Sequence, residues 1–190
     1  MNKNPVSQGS SDEELMRAVC ADSIFAFEQL YTRYKGPIIA FTCRMLQDKQ
    51  KAEDITQEVF LRIIKKKKSY NTSKKFSSWL YKIASNACLD EIRRFKFFGS
   101  NEDKRYENAG TKISDSPHKE VEQKELEKII KDALNKLTTE QKTLIILHKY
   151  QDQKYEDIAE IMGKDFNWVK WQLKNAYDTL EKELKPFFKK

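Results

Sequence analysis

Positively charged and aromatic side chains alternate in one stretch of the chain, between residues 60 and 98. Eleven lysines and arginines lie between residues 62 and 96, against only Asp90 and Glu91. The same stretch contains Tyr70, Phe76, Trp79, Tyr81, Phe95 and Phe97. Proteins that bind single-stranded nucleic acid combine lysines, which contact the phosphates, with aromatic rings on which the bases stack. Each stacked base contributes roughly 1–3 kcal/mol to binding. The lysine run at 65–68 alone is more typical of a solubilising patch, and some of the rings are expected in the core.

A second pattern places polar side chains on one face of a predicted helix. Its members follow one another at spacings of three and four: Asp54, Gln57, Glu58, Leu61 and Lys65. The opposite face is apolar and consists of Ala52, Ile55, Val59 and Ile63. Such a stripe is usually a solvated surface. The alternative is a docking surface for a partner with basic helices.

Enzymatic and metal chemistry find little support. The three cysteines, Cys20, Cys43 and Cys88, are too far apart for a CxxC pair, and an odd number cannot close completely into disulfides. We expect reduced core thiols. His118 and His148 are the only histidines, and five glycines form no phosphate-binding loop. We therefore predict no enzymatic activity, no metal site and no cofactor.

Size and composition indicate one domain or two small ones. The chain has 190 residues, a formal charge of +7, 39% hydrophobic residues and 34% charged residues. A high charged fraction fits small domains with much surface per unit of core. No stretch approaches the ~20 apolar residues of a membrane span, and the N-terminus lacks the apolar segment of a secretory signal. We expect a cytoplasmic protein with no membrane insertion.

The chain divides at a polar segment. Residues 99–124 are dominated by Gly, Ser, Asn and Glu, which predicts a flexible linker between domains at 1–98 and 125–190. The first domain carries 18 basic and 11 acidic residues, and the last segment 13 and 12. The excess positive charge therefore lies in the first domain, where an anionic partner is expected to dock.

Helical spacing recurs in the first domain. Ser11 and Glu14 form a capping box before a short helix. A second helix begins near Ser23, and Gly36-Pro37 is expected to break it and start another. Helices are also predicted at 48–66 and 76–95, with a loop at 69–75 between them.

The last segment is predicted to be helical as well. Thr138 and Gln141 form a second capping box. A short helix at 155–162, closed by Gly163, precedes a longer helix that Asp165 can cap, which is the helix-turn-helix pattern. The fold class is therefore all-α: two small helical domains joined by a flexible linker, the second containing a helix-turn-helix.

These segments resemble a known family. Residues 27–98, with AEDITQEVFLRI and FSSWLYKIASNACLDEIRR, resemble the second conserved region of the extracytoplasmic-function group of sigma-70 factors, which direct bacterial RNA polymerase to promoters. Residues 137–184, with LTTEQKTLIILHKY and YEDIAEIMG, resemble the fourth region. Together they cover about two thirds of the chain in the family's order. No segment resembles the first or third region.

The resemblance implies roles for both patterns. Asp54, Gln57, Glu58 and Leu61 would grip the coiled coil of the polymerase clamp, with the flap as a further contact on core RNA polymerase. The loop at 69–75 and the helix after it would melt the −10 element of promoter DNA. The candidates for single-strand binding are Lys67, Lys68, Tyr70, Asn71, Lys74, Lys75, Trp79, Arg93 and Arg94. Trp79 is an equally good candidate for the core. An anti-sigma factor is a further expected partner.

The recognition helix departs from the family's usual pattern. Its candidates for −35 binding are Trp168, Lys170, Trp171, Gln172, Lys174 and Asn175. Both arginines of the family pattern are missing. Gln172 and Asn175 would favour adenine, because their amides pair bidentately with that base. Trp168 and Trp171 are expected to face away from the core, where they would enter the major groove or pack on a protein partner.

The leading hypothesis is a sigma factor that directs promoter recognition and DNA melting. One alternative is a free-standing helix-turn-helix transcriptional regulator, which would usually act as a dimer. Another is a sigma-like interaction protein with altered −35 readout. The stripe beside a basic aromatic patch favours the sigma factor, because an operator-binding regulator needs neither surface.

Overall fold

The computed structural model describes residues 7, 9–98 and 117–188. Within these ranges all regular structure is helical, without a β-strand, so the all-α prediction is confirmed. The α-helices of the described residues are α1 (Asp12–Cys20), α2 (Ile24–Leu46), α3 (Lys49–Lys66), α4 (Phe76–Phe98), α5 (Pro117–Asn135), α6 (Thr139–Tyr150), α7 (Tyr155–Met162) and α8 (Phe166–Phe188). A 3₁₀ turn, Lys67–Ser69, follows α3 directly.

Helices α1 to α4 pack around one apolar core. Its fully buried large side chains come from all four helices: Leu15, Met16, Leu30, Ile38, Phe41, Ile63, Phe76 and Leu80. Each contributes roughly 1.5–3 kcal/mol through burial. The predicted capping box at α1 is present, since Ser11 and Glu14 each accept the other's backbone N–H. Asp48 caps α3 by accepting the N–H of Lys51 at 3.0 Å.

The predicted break at Gly36-Pro37 is wrong. α2 runs unbroken through Pro37 for 23 residues. Proline removes one N–H from the helical ladder, but Gly36 and Pro37 both lie on the exposed face. Leu30, Ile38 and Phe41, on either side of the proline, enter the same core. Packing on the buried face therefore keeps the helix in register across the missing hydrogen bond.

The helix after the predicted linker begins earlier than the sequence predicts. α5 starts at Pro117, inside the segment assigned to the linker. Proline suits a first helical position, because its fixed φ is helical and the N–H that it lacks would have no partner there. Residues 99–116 lie outside the described residues, so the remaining linker prediction concerns a part of the chain that the structure does not describe.

Helices α6, α7 and α8 form the predicted helix-turn-helix region. The capping box of Thr138 and Gln141 opens α6. Gly163, with φ of 63°, ends α7 in the left-handed conformation that favours glycine. Asp165 then accepts the N–H of Trp168 at 2.9 Å and caps α8. The core of this region consists of Leu144, Ile146, Leu147, Ile158, Val169, Leu173 and Ala176.

The two halves of the chain touch along two seams. α7 packs on α4, and α6 packs on α2. At the second seam the hydroxyl of Thr143 donates to the sulfur of Met45 at 3.6 Å, and Gln47 Nε2 donates to Asn135 Oδ1 at 2.6 Å. The three cysteines are free thiols, as predicted, but only Cys88 is buried in the core, while Cys20 and Cys43 are partly exposed. None of the described helices is long and apolar enough to cross a membrane.

Candidate nucleic-acid interface

The outer face of α3 is presented to solvent as the sequence predicts. Asp54, Gln57 and Lys65 are exposed, and Leu61 keeps 58% of its surface accessible. The inward residues, Ala52, Ile55, Val59 and Ile63, are all buried. Burial of that face leaves the polar stripe free to meet a partner.

Two details of the stripe were not predicted. The guanidinium of Arg62 donates to Glu58 Oε1 from Nε at 3.1 Å and from Nη2 at 2.7 Å, which half-buries the Glu58 carboxylate. Ile64 is an exposed apolar side chain next to Leu61 in the final turns of the helix. A helical projection that assigned Ile64 to the edge of the apolar face could have found it.

The loop after α3 is anchored by Tyr70. Its side chain is only 7% exposed, and its hydroxyl donates to the carbonyl oxygen of Lys74 at 2.6 Å. The ring centroid lies 6.2 Å from that of Phe76 and 5.2 Å from that of Trp79. Burial raises the pKa of Tyr70 to about 12. In this conformation Tyr70 supports the loop from beneath, and its ring does not face solvent.

Trp79 occupies an intermediate position. It is half-buried and packs against the core, with its ring 6.3 Å from that of Phe76. The sequence left open whether this residue belongs to the core or to the binding surface. The structure places one part of the indole in the ring cluster and leaves another part at the surface, where a base can stack on it.

The tip of the loop is held by local polar contacts. Asn71 Oδ1 accepts the backbone N–H of Ser73 at 3.0 Å and its hydroxyl at 2.7 Å. This Asx-type turn occupies the Asn71 oxygen. At the end of the loop, the N–H of Phe76 donates to Glu13 Oε1 at 3.0 Å. Glu13, on α1, is therefore a positioning residue that sequence reasoning missed.

The lysines of the 3₁₀ turn differ from one another. Lys68 is exposed, whereas the ammonium of Lys67 is only partly exposed and pairs with Asp22. The thiol of Cys20 donates to the carbonyl oxygen of Lys67 at 3.1 Å, and burial raises the pKa of that thiol. Lys67 is thus tied to the end of α1, and Lys68 offers the more accessible charge.

Lys74 and Lys75 have partners in the second domain. Lys74 Nζ lies 2.8 Å from Glu160 Oε1, and Lys75 Nζ donates to both oxygens of Asp157 at 2.8 Å. Both carboxylates belong to α7. Because these pairs are more than 80 residues apart in sequence, no local pattern could have indicated them.

Arg93 and Arg94 stand apart from the loop. They lie near the end of α4, roughly 26 Å along the helix axis from Phe76 at 1.5 Å per residue. Each pairs locally on α4, Arg93 with Asp90 at 3.2 Å and Arg94 with Glu91 at 3.4 Å. Both arginines are exposed, and such surface pairs are worth only about 0–1 kcal/mol. A phosphate can therefore displace the carboxylate.

The two tryptophans of the recognition helix have different environments. Trp168 is half-buried and packs against the core, with Lys164 Nζ 5.4 Å from its ring centroid. The expectation that it faces away from the core is wrong, because part of its ring packs against the apolar core. Trp171 is 59% exposed, as expected.

The remaining candidates on α8 surround Trp171. Lys170 and Lys174 are exposed, and Asn175 is partly exposed. Gln172 Oε1 accepts Gln141 Nε2 at 3.3 Å, so one half of its amide is already engaged. A shallow cavity of about 540 Å³ lies beside this surface and is lined by Tyr155, Asn167, Lys170, Trp171, Lys174, Tyr177 and Asp178.

Across the described ranges, no group of His, Cys, Asp and Glu side chains has the arrangement of a metal site. The described chain offers instead three surfaces: the stripe on α3, the lysine-bearing loop before α4, and the exposed face of α8. The stripe offers charge and an exposed leucine, and the other two surfaces offer charge and flat rings, which suits all three to binding macromolecules.

Comparison with known proteins agrees with this geometry. Residues 30–97 match the family model of Sigma-70 region 2, and residues 127–180 match that of Sigma-70 region 4. The ECF RNA polymerase sigma factor SigW of Bacillus subtilis is 31% identical over 173 residues, which cover 84% of this chain and 89% of SigW. The ECF RNA polymerase sigma-E factor of Haemophilus influenzae is 29% identical over 183 residues, covering 93% and 96%.

Solved structures show the same fold. CnrH, in complex with the cytosolic domain of CnrY, superposes with a TM-score of 0.72 at 20% identity and covers 93% of this chain and 99% of CnrH. The sigma factor RpoE of Bartonella quintana, in complex with the anti-sigma factor NepR, gives 0.67 at 24% identity and covers 84% and 96%.

Both conserved regions are present in the family's order, on two all-α units. The chain belongs to the extracytoplasmic-function group of the sigma-70 family of RNA polymerase sigma factors. The leading hypothesis from the sequence is thereby confirmed, and neither the free-standing regulator nor the interaction protein is favoured.

Proposed function

We propose that this sigma factor binds core RNA polymerase through Asp54, Gln57, Glu58 and Leu61. The observation that carries the proposal is the division of α3 into a fully buried face and an exposed polar face with Leu61 at its centre. Acidic and amide groups complement basic partner helices and set orientation and association rate. An exposed leucine adds the apolar contact on which affinity depends.

The loop after α3 is the proposed site of −10 melting. Tyr70 and the Asx-type turn at Asn71 support a rigid loop, and Lys68, Lys74 and Lys75 carry charge at its surface. A flipped base is expected to stack on the accessible part of Trp79. Stacking and phosphate contacts together offset an unstacking cost of a few kcal/mol per base. Lys67, Arg93 and Arg94 would track phosphates further along the strand.

The exposed face of α8 is the proposed −35 contact. Lys170 and Lys174 flank Trp171, so phosphates can pair with the lysines while the indole contacts thymine methyl groups. Asn175 remains a candidate for adenine. Gln172 is a weaker one, because its oxygen already accepts from Gln141. Trp168 supports the helix from the core side.

The partners follow from these surfaces. We propose core RNA polymerase, through its clamp coiled coil and flap, and promoter DNA. An anti-sigma factor is proposed as a third partner, which is supported by the co-crystal structure of RpoE of Bartonella quintana with the anti-sigma factor NepR. The chain would act in the cytoplasm as a binding subunit and catalyse no reaction itself.

The clamp assignment can be tested by charge reversal. We expect the double variant D54K/E58K to lose association with purified core polymerase in size-exclusion chromatography. The matched control is E181K/E183K, which makes the same change in net charge at exposed positions of α8. Helical content of both variants is measured by circular dichroism. Association of D54K/E58K equal to that of the wild type would falsify the assignment.

A further inference from the structure

Helix α7 places two carboxylates on the lysines of the proposed −10 loop. Glu160 lies 2.8 Å from the ammonium of Lys74, and Asp157 accepts two hydrogen bonds of 2.8 Å from that of Lys75. Both lysines lie directly before the start of α4. The second domain therefore occupies the positions that DNA phosphates would take.

The two side chains of the Lys75–Asp157 ion pair differ in their exposure to solvent. The side chain of Asp157 is only 16% exposed, whereas that of Lys75 is 56% exposed. A carboxylate withdrawn from water needs a cationic partner to offset its lost hydration. The hydrogen bond to Asp157 also raises the pKa of Lys75. Asp157 therefore depends on this ion pair more than Lys75 does, and the two hydrogen bonds orient the Lys75 side chain toward α7.

Further contacts hold the end of α6, just before α7, against the first domain. The hydroxyl of Tyr81, on the next turns of α4, donates to Gln151 Oε1. On the neighbouring seam the guanidinium of Arg44 lies 4.2 Å from the ring centroid of Tyr150. Each contact joins the first domain to the second. The ion pairs are therefore one part of a continuous interface between α2, α4, α6 and α7.

We propose that Asp157 and Glu160 act as phosphate mimics, which mask the −10 loop in the closed chain and leave it when DNA binds. The proposal rests on the proposed function of that loop. A phosphate that contacted Lys75 would stand beside the Asp157 carboxylate, and two like charges at that distance repel. Single-stranded DNA and α7 consequently compete for the same two ammonium groups.

The closed form lowers the apparent affinity for DNA. When only a fraction of the molecules is open, the apparent dissociation constant is the intrinsic one divided by that fraction. A chain that is open in about one molecule of ten thus binds about tenfold more weakly than an open chain. Removal of the two carboxylate charges shifts the population toward the open form.

The test uses the full chain and a fluorescein-labelled 15-nucleotide single strand, read by anisotropy at low salt. We expect D157N/E160Q to bind about three- to tenfold more tightly than the wild type. The control E181Q/E183Q removes the same charge from exposed positions of α8 and should gain less than about twofold. An equal gain in both variants, or no gain in D157N/E160Q, overturns the masking proposal. Absence of binding by all three proteins overturns the single-strand interface itself, and masking with it.

A second measurement needs no variant and therefore does not depend on its folding. A carbodiimide joins a carboxylate and an amine only when they are in direct contact. In the wild-type chain we expect cross-linked peptides that contain Lys75 with Asp157 and Lys74 with Glu160, identified by mass spectrometry. Their yield should fall when the single strand is present at saturation. Failure to form these links, or links unaffected by bound DNA, overturns the proposal.

Discussion

The backbone N–H of Phe76 donates a 3.0 Å hydrogen bond to the Glu13 side chain, 63 residues earlier in the chain. The first N–H groups of a helix have no partner within the helix. Lys75, the residue before α4, cannot cap the helix, because a lysine side chain has no atom that accepts a hydrogen bond. A carboxylate from α1 therefore caps α4 and fixes the end of the lysine-bearing loop.

This cap gives the first prediction. Glu13→Ala should lower the free energy of unfolding by about 1 kcal/mol, as the loss of a helix N-cap does. The measurement is urea denaturation followed by circular dichroism. Glu13→Gln is the matched control, because its amide oxygen can still accept the Phe76 N–H, and it should lose less. Equal stability of Glu13→Ala and the wild type would contradict the capping role.

Variants at Leu61 and Ile63 test separately the two faces of α3, the exposed one for binding and the buried one for stability. Leu61→Ala should weaken association with core polymerase by about tenfold or more, as loss of an interface anchor does, with little change in stability, because the side chain is already exposed. Ile63→Ala should lower the free energy of unfolding by about 2–4 kcal/mol, because it leaves a cavity in the core. Thermal denaturation and a titration of labelled chain with core polymerase distinguish the two. Unchanged affinity in Leu61→Ala would remove Leu61 from the docking surface.

Lys142 makes stability depend on pH. It is buried on α6, 3.5 Å from Asn135 Oδ1, and burial lowers its pKa to about 8, with the charge of Lys131 as a second cause. Between pH 8 and the unfolded value of 10.5, the unfolded chain binds more protons than the folded chain. Stability therefore rises with pH through that window, on the order of 1–3 kcal/mol from this group.

The measurement compares unfolding free energies at pH 7.5 and pH 9.5. Lys142→Met should be more stable than the wild type at the lower pH, and this advantage should shrink at the higher pH. Lys136→Met, at an exposed position, serves as the control and should show no such change. An advantage of Lys142→Met that is the same at both pH values would exclude the titration of this ammonium as the cause.

The tryptophans of α8 give the fourth prediction. Trp168→Ala should lower the melting temperature by several degrees, because the ring packs on the core. Trp171→Ala should leave stability nearly unchanged and alter duplex selection from a random library by the full chain. A selection profile that is flat for the wild type and responds only to salt would contradict sequence readout by Trp171 and favour a protein partner for this face.

Local signals in the sequence were reliable where one or two side chains determine where a helix begins or ends. The caps at Ser11, Thr138 and Asp165 lie where predicted, and so does Gly163 at the end of α7. Each of these acts within about three residues of its own position. Such contacts need no knowledge of the rest of the fold.

The errors arise where distant residues override a local preference. Pro37 should end a helix, but the core residues on both of its sides hold α2 together. Trp168 was expected on the outward face of α8, yet its ring packs in part against the core. For Lys74 and Lys75 the DNA contact remains a prediction, but no pattern in the sequence indicated their carboxylate partners on α7. Periodicity describes one helix at a time and cannot reveal these contacts.

An α2 without a hinge works as a stiff strut. Its 23 residues span roughly 35 Å. Near one end, Phe27 and Tyr31 pack on Phe60 of the helix that carries the stripe, and at the other end Arg44 and Met45 touch the second domain. If α2 rotates as a rigid body by about 5° about one end, its other end moves by about 3 Å. That displacement is about the distance between the two charged atoms of an ion pair. A tilt of α2 caused by a partner bound to α3 would therefore displace the boundary between the domains, because no hinge in α2 absorbs it.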